Sequence, residues 1–318
     1  MKVITFGTRG SLPVANPKSI AFGGNTTCLR ILSDCIPSGT ALVIDAGTGF
    51  LPMSIAALAE GVSKFLIFHT HYHHDHTQGF LIAPPIYIKQ VPIDIYGPVQ
   101  NSIGPREVYE RIMEPPLHPV SLKEVGAHVN FHKMSHPCGK VALIHPEGGV
   151  KIMDLEQFDR IVLKNNHASF KEGVKFSIDE CLVIRMLYTD HPENTISFRF
   201  EERPTGKVFV FLTDEENRDG LPLDLRRHVS GANLLIQDAQ YDREKYDTRT
   251  AGFGHGTPDY VIRLAKMCGV TRVGLTHHDP LSTDADIQSI LAEAQAQLGS
   301  EDEQIEIFAC KDSSQLEV

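Results

Sequence analysis

Residues 69–76 read HTHYHHDH, so six of eight consecutive side chains are of types that bind metal ions. They follow an apolar run, Phe65 to Phe68, that reads as a short strand. Within them His71, His73, Asp75 and His76 take the spacing H-x-H-x-D-H, and only this register puts an aspartate directly before the last histidine. Alternate residues of an extended chain share a face, so His71 and His73 project from one side while Asp75 and His76 fall on the turn that follows. That arrangement can supply two adjacent metal ions. Imidazole and carboxylate ligands without a thiolate suit Zn²⁺, Mn²⁺ or Fe²⁺. Two close divalent ions activate water and polarise a phosphoryl or carbonyl oxygen, so the chemistry to expect is hydrolysis, with metal-bound hydroxide as the nucleophile.

Composition narrows what surrounds such a site. The chain has 318 residues, 42% of them hydrophobic and 22% charged, which is enough to bury a large core. Its net charge of −10 argues against a surface that is a nucleic-acid platform as a whole and leaves room for a local basic cleft. No run approaches the roughly 18 apolar residues of a membrane span, and the start MKVITFGTRGS passes from a short apolar stretch straight into a glycine turn. No membrane association is expected, and the location expected is cytoplasmic. The six cysteines are scattered without a CxxC pair, so neither a zinc ribbon nor a disulfide framework is indicated, and reduced, mostly buried thiols are expected.

The elements that must position these side chains are mostly short strands. Runs of four to seven residues rich in Val, Ile, Leu and Phe predict strands over Lys2 to Phe6, Cys28 to Leu32, Ala41 to Ile44, Phe65 to Phe68, Ile93 to Tyr96, Cys181 to Leu187, Thr195 to Phe200, Val208 to Leu212, Leu234 to Gln237, Arg272 to Leu275 and Gln304 to Phe308. In GHGTPDYVIRLAKMCG, Thr257 as N-cap, Pro258 as first residue and Gly269 past the end predict a helix. In TDADIQSILAEAQAQLG, Thr283 is the expected cap, with Ile287, Ile290, Leu291, Ala294 and Leu298 at helical spacing and Gly299 as the stop. An earlier helix is expected from about Leu51 to Glu60. No linker divides the chain, so a single domain over 1–318 is expected, of two sheets covered by helices; the irregular stretch at about 137–177 reads as an insertion or lid.

Thr70 to Gly79 also match every fixed position of T-H-x-H-x-D-H-x-x-G. With GTRGSLP near the N-terminus, GGNTTC at Gly23 to Cys28, DAGTGF at Asp45 to Phe50, GHGTP and LTHHDP, the chain resembles the metallo-β-lactamase superfamily, in the branch that holds ribonuclease Z and bacterial cyclic phosphodiesterases. The resemblance implies an α/β (α+β) fold, a four-layer αββα sandwich of two mixed sheets flanked by helices. It implies a dinuclear site completed by one more histidine, a bridging aspartate and a final histidine. His191 in YTDHPENTISF best matches the first, with His136, His145 and His167 as rivals; Asp214 after VFVFL matches the bridge, and His277 in LTH the last. His71, His73 and His191 would then hold one ion, Asp75, His76 and His277 the other, with Asp214 between. Two divalent ions per chain are expected, zinc first. The missing thiolate ligand argues against an antibiotic-degrading β-lactamase.

Three further residues enter through that resemblance. His255, in GHGTP before a helix N-terminus, is the candidate general acid or phosphate clamp; Asp238 after LLIQ would orient it, and Asp75 would help orient the attacking water. Asp45 could accept hydrogen bonds behind the metal loop, and Gly7 to Ser11 could form an anion nest or a plain turn. His278 should point away from the metals, behind them or toward substrate. The leading expectation is a phosphodiesterase acting on a small cyclic nucleotide or related phosphodiester. A ribonuclease Z-like RNA endonuclease is the near rival, disfavoured because the lysines of 137–177 are interleaved with acids. Lactone or thioester hydrolysis is a second rival, and a non-catalytic binding protein a third. A homodimer is suggested by the resemblance alone.

Overall fold

The structure is a computed structural model that describes residues 1–216 and 220–318. Two sheets face each other. The first has seven strands in the order Ser314–Glu317, Lys2–Gly7, Cys28–Leu32, Thr40–Ile44, Lys64–Phe68, Ile93–Pro98 and Val129–Met134. The second has eight, in the order Glu306–Ala309, Arg272–Thr276, Leu234–Asp238, Lys207–Leu212, Ile196–Glu202, Leu182–Tyr188, Lys140–His145 and Gly149–Asp154. Each mixes antiparallel pairs with a parallel block: from Thr40–Ile44 to Val129–Met134 in the first, from Lys207–Leu212 to Glu306–Ala309 in the second.

Strict alternation explains why these segments are strands buried on both faces. Leu42 and Ile44 point inward and join Leu66, Phe68, Phe198, Phe209 and Ile236 in the core between the sheets. Ala41 and Val43 point outward and pack with Phe65, Ile67 and the helix Phe50–Ala59. On the second sheet Val210, Leu235 and Val273 face outward under the helices Leu223–Val229, Pro258–Cys268 and Asp284–Gln295. The layers are therefore αββα, as the resemblance implies. Among the described residues no helix is long and apolar enough to cross a membrane. All six cysteines are free, five of them buried and Cys138 half-buried.

The expected strands are present, most with ends shifted by one or two residues, and the early helix runs Phe50–Ala59. Pro258–Cys268 ends where expected, on Gly269 at φ 67°, which a residue without a Cβ adopts freely. Thr257 stands at the cap position, but its hydroxyl donates to Asp259 Oδ1 at 2.5 Å instead of receiving a helix N–H. Thr283 does cap its helix, receiving the Asp286 N–H, and that helix stops at Gln295, short of Gly299, where the chain tightens into three-residue turns.

The stretch read as an insertion or lid is built into the far edge of the second sheet. Lys140–His145 and Gly149–Asp154 are its last two strands, the helix Leu155–Lys164 covers them through Phe158, and His167–Lys171 with Val174–Ser177 form a two-stranded ribbon.

Candidate metal centre

Parallel strands present all their C-terminal ends on one side, and that is where chain direction reverses and side chains become free to converge. Asp45 follows Thr40–Ile44, His69 to His73 follow Lys64–Phe68, Asp214 follows Lys207–Leu212, Asp238 ends Leu234–Asp238, and His277 follows Arg272–Thr276. The short helix His74–Thr77 turns Asp75 and His76 inward and leaves His74 exposed. His191 comes from the loop between Leu182–Tyr188 and Ile196–Glu202.

Two overlapping groups result. The metal-capable atoms of His71, His73, His191 and Asp214 lie within 4.8 Å of one another, as do those of Asp75, His76, Asp214 and His277. Asp214 belongs to both. Its Oδ2 is 3.6 Å from His71 Nε2 and 3.9 Å from His191 Nε2, while its Oδ1 is 3.3 Å from both His76 Nε2 and His277 Nε2. Asp75 Oδ2 lies 3.4 Å from His76 Nε2 and 3.2 Å from His277 Nε2. His73 enters through Nδ1, 3.3 Å from His191 Nε2.

Each ring is held from behind by an acceptor, which fixes its tautomer. His71 Nδ1 donates to Thr70 Oγ1 at 3.1 Å, because that hydroxyl is itself committed as a donor to Asp45 Oδ2 at 2.8 Å. His76 Nδ1 donates to Asp45 Oδ2 at 2.8 Å, His191 Nδ1 to the Gly254 carbonyl at 2.8 Å and His277 Nδ1 to Gln240 Oε1 at 2.9 Å. His73 Nε2 donates to Glu193 at 3.2 Å. With these nitrogens protonated, five imidazole lone pairs and two carboxylates are left facing one another, all on buried side chains except that of His73, which is 45% exposed. Among the described residues His71 Nε2 and His76 Nε2 are buried without a hydrogen-bond partner. Converging lone pairs repel unless a cation lies between them, so this donor set fits two divalent ions with nitrogen and oxygen ligands.

The electrostatics agree. Burial pushes the His71 imidazole well below its ordinary range, with the neighbouring His76 acting in the same direction. Burial works the same way on His277, but Asp214 and Asp75 outweigh it and push that ring up to about 9. Asp214 and Asp75 are themselves buried, which disfavours their charge, yet the surrounding imidazoles hold both well below the usual carboxylate range. The site is one that demands positive charge at its centre.

His255 stands beside the cluster. Its Nδ1 lies 2.8 Å from Asp238 Oδ2, its ring stacks on that of His277 with centroids 4.8 Å apart, and the His191 ring is 5.2 Å away. Asp238 also receives the Gln240 N–H, so it orients His255 and braces a turn together. The metal-capable atoms of Asp238, His255 and His277 form a third close group.

The rivals of His191 lie elsewhere. His145 stacks on Phe176 and receives N–H groups from Glu147 and Gly148, while His136 and His167 are exposed. His278 is buried away from the cluster, donating toward the Cys310 carbonyl, so of the two directions expected for it the substrate-facing one does not hold. Gly7 to Ser11 contributes the Ser11 N–H, which donates to Asp75 Oδ2 at 2.6 Å, while Arg9 is buried as a brace between Gly23, Asp279 and Ser282 carbonyls. Gln240, Glu193 and Glu216 are not marked by the sequence. Glu216 receives the Gly254 N–H at 2.9 Å, and Gly254 in turn accepts from His191. Nothing in their local spacing marks them, since their partners are distant in the chain.

Comparison with known proteins places this geometry in a family. Residues 30–278 match the model for the beta-lactamase superfamily domain. Ribonuclease Z of Brevibacillus brevis is 26% identical, over 92% of this chain and 91% of its own. Among solved structures, the metallo-beta-lactamase fold protein YhfI from Bacillus subtilis superposes with a TM-score of 0.61 at 16% identity, covering 99% of each chain. A diphosphatase from the PhnP family superposes with a TM-score of 0.58 at 16% identity, covering all of this chain and 97% of that one. The match extends over most of the chain and the fold is shared, so this chain belongs to the metallo-β-lactamase superfamily and is a hydrolase of that family.

Proposed function

We propose that the protein is a metal-dependent phosphodiesterase acting on a small phosphodiester such as a cyclic nucleotide. His71, His73 and His191 would hold one ion, Asp75, His76 and His277 the other, and Asp214 would bridge them. The observation that carries this reading is the set of five imidazoles whose outward nitrogens are all occupied by acceptors, leaving the inward lone pairs convergent. Two divalent ions bound there supply a water of lowered pKa and Lewis-acid stabilisation of a phosphoryl oxygen and its leaving group.

The chain's own residues supply the rest. Asp75 would be both a ligand and a neighbour of the attacking water, and the Ser11 N–H fixes its carboxylate. His255 holds one proton toward Asp238; in its doubly protonated form it has a second, at Nε2, to give to the leaving oxygen. A leaving alkoxide needs that proton, which favours a phosphodiester over an activated thioester. RNA cleavage is the second reading, favoured by the ribonuclease Z relative that matches nearly the whole chain.

The test is hydrolysis by metal-reconstituted protein of bis-p-nitrophenyl phosphate beside 2′,3′- and 3′,5′-cyclic nucleotides, a precursor RNA, a lactone and a thioester, with His71→Ala as the blank. Metal-dependent diester cleavage that vanishes in the blank is the expected result. Ester or thioester cleavage without diester cleavage would overturn the reading, and cleavage confined to RNA would move it to the second.

A further inference from the structure

The lysines of 137–177 alternate with acids along the chain, but the fold separates them. A groove of about 560 Å³ lies between the strand Gly149–Asp154, the helix Leu155–Lys164 and the ribbon, and it collects Lys151, Arg160, Lys164 and Lys175. Among the described residues its one carboxylate is Asp154, held at 2.9 Å by Lys140 from outside the groove. Glu156, Asp159 and Glu172 do not line it, while Glu147, Asp179 and Glu180 gather with Asp34 around a separate hollow.

Among the described residues none of the four cations has an ion-pair partner, and Arg160 makes only a hydrogen bond from Nε to the Glu156 carbonyl. Four uncompensated positive charges in one concavity are out of keeping with a chain of net charge −10 that has 40 acidic residues available to neutralise them. A structural purpose accounts for only part of this. Gly149–Asp154 ends its sheet, and a lysine there discourages pairing with another chain, but that explains Lys151 alone. Arg160 and Lys164 come from the helix and Lys175 from the ribbon, so three elements point cations into the same space.

One end of the groove, at Asp154, lies at the same end of the sheet as the metal centre, and the groove runs from there past Lys151 toward Lys164 at the far end of the helix. Tyr188 leads directly into the His191 loop, and its N–H donates to Cys138 Sγ at 3.2 Å, which seats the start of Lys140–His145 at that end. Lys140 pairs with Asp154, so the Asp154 end of the groove is there too, two strands from the His191 hairpin, or about 10 Å at strand spacing.

We propose that this groove binds the sugar-phosphate backbone of a single-stranded nucleic acid. Spaced cations from separate elements fit a chain of phosphates better than one compact anion, and the neighbouring Gln157, Asn165 and Ser169 offer polar groups for sugars. Strand binding belongs to the groove and is separate from turnover at the metal centre, so it stands whether or not the bound strand is cleaved.

The test is fluorescence anisotropy of a labelled oligouridylate across a salt series, with the full chain and with Lys151→Gln/Arg160→Gln/Lys164→Gln/Lys175→Gln. All four side chains are at least partly exposed, so an unchanged Tm is expected for the variant. Affinity should fall at least about tenfold and the slope of log K against log salt should flatten by roughly 3, at about 0.7 for each phosphate left without its cation. Bis-p-nitrophenyl phosphate turnover should match that of the unmodified chain. Equal affinity and slope in the two proteins would overturn the proposal, as would binding to phosphatidylserine vesicles with no binding to the oligonucleotide.

Discussion

At the scale of single residues the centre is organised by what lies behind each ligand. Asp45 is the hub: it receives the Thr70 N–H and hydroxyl and the His76 ring, so one buried carboxylate fixes the loop backbone and the tautomers of two ligand histidines. Asp45, with φ 59°, occupies a left-handed conformation, as do Asp214 and His277 at φ 49° and 59°. Such conformations are uncommon outside glycine, and their clustering at the ends of three strands is how the chain turns these side chains toward one point. His255 has a different position, paired with Asp238 and stacked on a ligand ring. For His255→Ala we expect both metal ions to be retained while kcat on a diester falls roughly 10² to 10⁴-fold, the range for loss of a general acid. Loss of metal in that variant would make His255 a ligand, and unchanged turnover would make it a loop residue.

At the scale of elements, strand ends set positions and loops set angles. The loop Gly252 to Gly256 is the clearest case, because its carbonyl at Gly254 orients His191 while Gly254 itself sits at φ 90° against the His191 ring. A Cβ there would lie 2.3 Å from His191 Nδ1, closer than any real contact. Gly254→Ala should therefore lose metal affinity by at least about tenfold through displacement of His191, with a smaller loss in Tm. A variant that binds metal as tightly as the unmodified chain would show that the loop does not position the ring.

The same contrast explains what could be read in advance. Strands such as Thr40–Ile44 and Phe65 to Phe68 advertise themselves through runs that are apolar on both faces, and the motif at His71 to His76 is local, so core strands and the first four ligands are visible from spacing. Val129–Met134, His167–Lys171 and Val174–Ser177 are exposed on one or both faces and read as polar chain, so they were not expected. Glu193 and Gln240 could not be seen because they lie 120 and 37 residues from the rings they hold.

At the scale of the whole molecule, the second sheet depends on a neutral histidine. His228 is a buried residue of the helix Leu223–Val229, with Nε2 3.1 Å from Ser197 Oγ, a hydroxyl that donates to the Phe211 carbonyl. Burial, and then the charges of Arg199 and Arg185, push this imidazole down to about 3. The folded protein keeps it neutral where the unfolded chain takes up a proton, so its contribution is complete above the ordinary imidazole range near pH 6.5 and is lost progressively as pH falls from there toward 3. Relative to His228→Gln, which retains an N–H donor for Ser197, the unmodified chain should lose on the order of 2 kcal/mol between pH 7 and pH 5. Parallel stability curves for the two proteins would refute this.

The molecule as a whole exists to bring the ends of two sheets together: His71, His73, Asp75 and His76 come from the first, and His191, Asp214 and His277 from the second. Asp214 joins both groups, so the most direct test is the metal content of the full chain and of Asp214→Ala after zinc reconstitution and desalting, measured by mass spectrometry of the metal. Two ions per chain, falling to one or none in the variant, is the expected result; two ions retained without Asp214, or none bound by the unmodified chain, would contradict the bridged dinuclear centre.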